Sequence, residues 1–250
     1  MRARGTSGSI DRSYYETSGY FGGGGGHLQD PESRFHRYRV REVLNLCGNP
    51  SGLRAVDLGC GWGTISLALS GRADFIVGVD FARASLKVCA SRHDPDEHPN
   101  LAFVQADARL TGLRGGAWDL VVAADLVEHL YPQDTEAVYR EVWRLLRPNG
   151  RFVVWTPSPT HLVERLRRLG ILTPDPTHVD YKTLGRLRTD LARFGFRIVD
   201  ARHVPSHHPG LRTVERIGQR WIPSLRRRIA VAAEKPQRTL RPATSRDETL

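Results

Sequence analysis

An α/β fold, a mostly parallel sheet with helices on both faces, is predicted by three observations. Short apolar runs alternate with amphipathic ones from about residue 54 to residue 235. The first apolar run ends in the glycine-rich turn "LGCGWG", and the next two end at single acids, Asp80 and Asp107. Alternation at this spacing implies strand–helix–strand units with parallel strands. Ligands of such sheets gather where strands end. The informative residues should therefore sit at strand ends.

Each element follows in order. "PESRFHRYRVREVLNLC" predicts a helix, with Pro31 near its start and Phe35, Tyr38, Val43 and Leu46 on one side. "RAVDLG" is a short strand, "TISLALS" a helix, "DFIVGVD" a second strand and "ARASLKVCASR" a second helix of the alternation. "HDPDEHPN" reads as a loop. "LAFVQAD" and "WDLVVAAD" are strands three and four. "DTEAVYREVWRLL" is a helix that Asp134 can cap, with Val138, Val142, Leu145 and Leu146 as its buried stripe. "PNG" is the turn after it, and "RFVVWTP" is strand five. Helical stretches "PTHLVERLRRLG" and "YKTLGRLRTDLARFG" come next. "FRIVDARHV" and "RRIAVAAEKP" are the last strands.

The flanks differ. Residues 1–34 read as a mobile segment with a glycine-rich stretch. Five glycines, Gly22 to Gly26, flanked by Tyr14, Tyr15, Tyr20 and Phe21, have the profile of a lid over a site. A plain linker fits the composition equally. Residues 35–235 form the expected domain, and 236–250 a disordered tail.

Composition narrows the function classes. No apolar run approaches the roughly 20 residues needed to cross a bilayer. The first residues have no signal-type apolar core. The chain is therefore read as cytoplasmic. Cys47, Cys60 and Cys89 are scattered and suggest neither a disulfide framework nor a zinc site. The formal charge is +10, but it is nearly all arginine, with Lys87, Lys182 and Lys235 the only lysines. Such a skew points to codon bias rather than a nucleic-acid face, and charge alone is a weak warrant. Phosphate-bearing small substrates or an acidic membrane surface suit the charge equally well. The basic insertion 205–227, between the last two strands, could dock on such a surface, cover the site, make a dimer contact or stand in solvent.

The strand ends describe a nucleoside-shaped site. Gly59, Gly61 and Gly63 allow a sharp turn and close approach to a ligand. Asp80 can accept both hydroxyls of a ribose. Asp107 stands where an adenine amino group could donate to it. A glycine triplet alone is a weak signal; glycines and two acids in this order are a stronger one.

"VDLGCGWG", "VGVDFA", "QADA", "WDLVVAADLVEHL" and "LLRPNGRFVVWTP" together resemble the successive motifs of class I S-adenosylmethionine-dependent methyltransferases. The resemblance is nearest to small-molecule O-methyltransferases of the ubiquinone-biosynthesis type. It implies a Rossmann-like seven-stranded sheet with its last strand antiparallel, which would pair "FRIVDARHV" with "RRIAVAAEKP". It also implies cofactor roles: Asp57 as the acid ending strand one, Gly59 and Gly61 in the turn, Asp80 on the ribose, and Asp107 on the adenine amino group. Ala108 would contact the ring edge through its backbone, and Ala124 the methionine half. Arg39, with Arg37 as competitor, matches an arginine that contacts the cofactor. The five-glycine run has no counterpart in the family pattern. A nicotinamide-dependent oxidoreductase would normally show G-x-G-x-x-G instead of G-C-G-W-G. A cofactor-binding protein without catalysis shares the fold.

"VEH", residues 127–129, falls beside the transferable methyl group in this reading. His129 has a suitable unperturbed pKa for a general base. Asp125, Glu128 and His129 also resemble the E-x-x-E-H pattern of some magnesium-using members, with Asp125 one methylene short and His178 available as a fourth ligand. A plain polar helix start is the third reading. The chain lacks the Asn/Asp-Pro-Pro-aromatic motif of base amino methylation, reading "AADL" there, and has no Pro-Cys pair. A small-molecule acceptor is therefore expected. His161, His178, Asp180 and Tyr181 are its polar candidates.

Overall fold

The computed structural model describes residues 14–15 and 33–237. The glycine run, Tyr20, Phe21, Pro31 and the tail from 238 lie outside the described residues. Seven strands form one sheet: β1 (Arg54–Leu58), β2 (Phe75–Asp80), β3 (Leu101–Gln105), β4 (Trp118–Ala124), β5 (Leu146–Pro157), β6 (Arg197–Val204) and β7 (Arg228–Glu234). Their order is β3-β2-β1-β4-β5-β7-β6. The first five are parallel, and β7 runs antiparallel between β5 and β6. The strand order reverses between β1 and β4, which opens a crevice at their carboxyl ends.

Strand side chains alternate between two cores, as the two-residue period requires. Val56, Leu58, Val121, Ala123, Phe152, Val154 and Val231 point to one face. There they meet α4 (Pro132–Leu145) through Val138, Tyr139 and Val142, and α6 (Leu184–Arg193) through Leu187 and Leu191. Ala55, Leu120, Val122, Val153 and Trp155 point to the other face. There they meet α1 (Arg34–Cys47) through Tyr38, Val43 and Leu46, and α2 (Thr64–Ser70) through Ile65 and Leu69. Helices α3 (Arg83–Arg92), α5 (Leu162–Arg168) and α7 (Pro209–Gly218) complete the described helices. Among the described residues no helix is long and apolar enough to cross a membrane.

Three local expectations need correction. Asp134 does not cap α4. Tyr131 occupies the N-cap, Pro132 follows it, and Asp134 pairs with Arg109 instead at 2.7 Å. Proline suits the first helical position, where its missing N–H costs nothing. "PNG" is not a turn between elements but part of β5. Asn149 takes a φ of +63°, and its amide donates to the Lys235 carbonyl at 2.7 Å. The Lys235 ammonium donates to the carbonyls of Trp143 and Leu146, satisfying the end of α4 that a glycine would ordinarily close. The third strand ends at Gln105, so Asp107 lies beyond it, in an isolated bridge with Leu110.

The basic insertion is ordered around α7, and that helix is built inside out. It buries Glu215 and exposes Leu211, Val214 and Ile217, with Trp221 and Ile222 just beyond.

Candidate functional site

A cavity of about 1530 Å³ opens at the carboxyl ends of β1, β2 and β4 and reaches the start of β7. Ordinary small-molecule pockets measure roughly 300–1,000 Å³. The space suits two ligands side by side.

One end is the glycine turn. Gly59 and Gly61 have φ of +67° and +53°, a region L side chains adopt at a cost of about 1–2 kcal/mol. A Cβ on Gly59 would meet Leu126 at 2.9 Å, whereas one on Gly61 would meet nothing within 4 Å. Gly61 thus borders open cavity. Its amide donates to Asp80 Oδ2 at 2.9 Å, and the amide of Ala82 donates to Oδ1 at 2.9 Å. Asp80 therefore fastens the turn to β2 at the edge of the cavity. We expect Gly61→Val to lose at least about 1–2 kcal/mol of stability to its left-handed backbone and to weaken S-adenosylhomocysteine binding at least tenfold. Thermal melting and titration calorimetry on the same sample check this.

Asp107 and Ala108 line the same end. The Asp107 carboxylate already accepts from the Arg109 guanidinium at 2.6 Å, and Arg109 bridges onward to Asp134. An adenine amino group would share Asp107 with Arg109. Asp57 does not line the cavity. It is buried behind the turn, where the Ser66 hydroxyl donates to it at 2.7 Å, and burial pushes it up to about 6. Its contribution is to hold β1 and α2 together.

The other end is built on Asp125. Its backbone, at φ +58°, is left-handed, a conformation aspartate tolerates better than most residues. Its amide donates to the Trp155 carbonyl at 2.7 Å, which fixes the turn. The carboxylate is held between two guanidiniums, Arg39 Nε at 2.6 Å and Arg228 Nη1 at 2.7 Å. Burial raises its pKa, but Arg228 and Arg39 outweigh that and hold it at about 2. Arg39 also donates to the carbonyl of Ala124 at 3.2 Å. Arg39, not Arg37, faces the cavity; Arg37 lines a separate groove.

"VEH" forms a single 3-10 turn, Val127–His129, rather than the first turn of α4. The segment 177–182 is stitched onto it. The Glu128 carbonyl accepts from the amides of Val179 and Asp180. Lys182, fully buried, donates its ammonium protons to the carbonyls of Val127, Leu130 and Asp180. His129 Nδ1 lies 3.0 Å from the Thr177 carbonyl, which can only accept. The Nδ1 therefore carries the proton and Nε2 keeps its lone pair. Burial first, then neighbouring His178, pushes His129 down to about 4, so the ring is neutral near pH 7. Tyr15 packs its ring against His129. Nearby, the Tyr181 hydroxyl donates to Glu164 at 2.7 Å, which leaves it to accept from His178 Nδ1 at 2.9 Å.

Glu128 is buried. Thr156 donates to its Oε2 at 2.9 Å, while Oε1 has no partner among the described residues. Burial and then the Asp125 charge push it up to about 8. The acid is raised above its unfolded value near 4.5, so its protonation stabilises the fold fully below about 4.5. That contribution is lost as pH rises through about 8. Glu128→Gln should flatten this decline, so the variant should lose less stability than the parent between pH 5 and pH 9 in urea titrations.

Glu128, His129 and His178 offer donor atoms within 4.8 Å of one another. The magnesium reading does not fit them. Asp125, its expected first ligand, is occupied by two arginines, and Glu128 is protonated near neutrality. Two imidazoles and a carboxylic acid are poor partners for a cation that prefers oxygen ligands.

The sequence-predicted residues Gly59, Gly61, Asp80, Asp107, Ala108, Arg39, Ala124 and His129 all line one cavity. His161 and His178 join them, while Asp180 and Tyr181 stand behind, Asp180 paired with Lys182 and Arg186. Sequence reasoning missed Arg227, Arg228, His36 and Lys182. For the two arginines the available signal was the pair opening the predicted last strand "RRIAVAAEKP", to which no site role was given.

Residues 55–150 match the family described as methyltransferase domain. A ubiquinone biosynthesis O-methyltransferase of Bordetella avium is 29% identical over 128 residues, 48% of this chain and 52% of that protein. A demethylmenaquinone methyltransferase of Lactococcus lactis is 28% identical over 123 residues, 48% of each. The chain spans about half the length of the curated relatives it matches. The solved structure of Haemonchus contortus phosphoethanolamine N-methyltransferase 2 with S-adenosyl-L-methionine overlays with a TM-score of 0.70 at 17% identity. It covers 90% of this chain and 60% of that one. At this identity the likeness is one of fold.

Proposed function

Residues 55–150 of this chain are a methyltransferase domain, and from that premise we propose that the protein transfers a methyl group from S-adenosylmethionine to a hydroxyl of a small molecule. One observation carries the reading. A single cavity joins a ribose-type acid and glycine turn to an imidazole whose tautomer leaves a free lone pair. Bound S-adenosylmethionine supplies an electrophilic methyl group.

The chain's own residues would do the rest. Asp80 takes the ribose hydroxyls while holding Gly61 in place. Arg39, anchored by Asp125, stands at the end of β4 where the amino-acid half of the cofactor would lie. His129 Nε2 accepts the proton of the attacking hydroxyl or orients it. Titration calorimetry with S-adenosylhomocysteine and NAD separates this reading from the nicotinamide alternative. Micromolar binding of the first is expected, and binding of NAD alone would sink the proposal. Label transfer from methyl-labelled cofactor to hydroxyl-bearing and amine-bearing acceptors then tests the O-methyl assignment.

The exposed face of α7 favours contact with an acidic membrane. Leu211, Val214, Ile217 and Trp221 stand out in solvent, with Arg216 and Arg220 exposed beside them. Apolar anchors within a cationic rim suit an anionic bilayer surface. The protein should sediment with vesicles containing anionic lipid and much less with neutral ones. Val214→Asp combined with Ile217→Asp should abolish the difference.

A further inference from the structure

One cation at the acceptor end of the cavity stands without an acid of its own. Arg228 is matched by Asp125. Arg167 is matched by Glu164, whose other oxygen accepts from Tyr181. Glu215 accepts from the Ser206 amide and lies 3.8 Å from His161. Arg227 lines the cavity, yet its guanidinium has no hydrogen bond or ion pair among the described residues. The acids whose charge acts on it, Glu215 and Glu164, are already engaged.

Its backbone is fixed all the same. The Arg227 carbonyl accepts from the Ser158 amide at 3.1 Å, and the next residue pairs with both Pro157 and Val204 in the sheet. A guanidinium cannot shed its charge and presents five donors in a planar fork. Left unmatched and partly buried, it is costly unless a ligand compensates it. Two neutral donors stand near. His161 and His207 line the same wall, and burial, aided by Arg227 among the neighbouring charges, pushes each down to about 4.

We propose that Arg227 anchors an anion subsite at the acceptor end of the cavity, so that the methyl acceptor carries a carboxylate or phosphate group. Three strand spacings of about 4.8 Å separate β1 from β7, which puts the subsite roughly 14 Å across the sheet from the glycine turn. The anion is thus held away from the nucleoside, with Asp125, Glu128 and His129 on the strand ends and turn between. A planar fork matches both carboxylate and phosphate in two-point fashion. The proposal rests on the methyl-transfer reading.

The test uses the full chain saturated with S-adenosylhomocysteine, titrated with inorganic phosphate and with benzoate at constant ionic strength and followed by thermal melting. At least one anion should raise the melting temperature saturably, and the preferred one identifies phosphate or carboxylate as the acceptor's charge. Arg227→Gln should weaken that effect tenfold or more, and Arg227→Lys should restore part of it. Both variants should bind S-adenosylhomocysteine within twofold of the parent. No saturable effect of either anion, or an effect indifferent to Arg227→Gln, overturns the subsite. Equal weakening of S-adenosylhomocysteine overturns it too, by assigning Arg227 to the cofactor's own carboxylate. Failure of the parent protein to bind S-adenosylhomocysteine is read in the first titration and removes the methyl-transfer reading itself.

Discussion

Replacing Asp80 with alanine should weaken S-adenosylhomocysteine binding by at least 100-fold, measured by titration calorimetry. The carboxylate has two tasks. It accepts from the amides of Gly61 and Ala82, each at 2.9 Å, and so sets the shape of the glycine turn. It also lines the end of the cavity where the methyl-transfer reading puts a ribose. Hydrogen bonds to a charged group contribute about 1.5–3 kcal/mol each. Losing one such ligand contact together with the turn's anchor exceeds the roughly 2.8 kcal/mol that corresponds to 100-fold. Asp80→Asn keeps an acceptor oxygen but removes the charge, so its loss should be nearer tenfold. The asparagine NH2 meets one of the two amides donor to donor, so both variants loosen the turn, and thermal melting beside calorimetry reports that loss apart from the lost ligand contact. An alanine variant that binds as the parent does would remove the nucleoside from the end of β2.

The residues that sequence reasoning located correctly share one property: their place follows from local period and chain direction. Asp80 ends an apolar run, so it must emerge at the carboxyl edge of the sheet. The same reasoning placed Asp125 and His129 beyond β4. Arg228 could not be located this way. It lies 103 residues from Asp125 and reaches it only because β7 turns antiparallel and inserts beside β5. Long-range pairing of that kind leaves no periodic trace. Lys182 is harder still. A lysine in a polar stretch reads as solvent-exposed, and its complete burial depends on three carbonyls gathered from two loops. The basic insertion 205–227 was given no element, although the apolar residues of α7 recur at helical spacing. A hydrophobic face ordinarily turns inward. Here Glu215 turns inward because Ser206 offers it a buried amide.

Asp57 shows a subtler limit. The acid at the end of the first strand lies in the right motif and next to the right glycine, but one residue decides which side of the strand it faces. Val56 and Leu58 project to the α4 face and leave Asp57 to the opposite side, against Ser66 of α2. Its burial makes it a structural acid of the turn. The motif specifies the residue; the pleat determines what the residue touches.

His129→Ala should lower kcat by about 10²- to 10⁴-fold for a phenolic or alcoholic acceptor, with S-adenosylhomocysteine affinity within threefold of the parent. The imidazole is prepared for this work. Thr177 fixes the proton on Nδ1, and the neutral ring offers Nε2 at any pH well above 4. A histidine with an ordinary pKa near 6.5 would give an acidic limb there. Because burial lowers this one to about 4, activity should stay level from pH 8 down to about pH 5 and fall only below that. A general base matters most when the acceptor holds its proton until the transition state, and not at all when that proton is already gone. The variant's deficit should therefore shrink as acceptors of lower pKa are used, approaching unity for one already ionised at the assay pH. An orienting role alone would leave the deficit constant across that series. Activity in the variant equal to the parent's, with every acceptor tried, would reduce His129 to a polar residue in the turn after β4. Chelation is the companion measurement. The donor set does not suit magnesium, so EDTA should leave the parent's rate unchanged, and a chelator-sensitive rate would shift the role of Glu128, His129 and His178 from proton handling to metal binding.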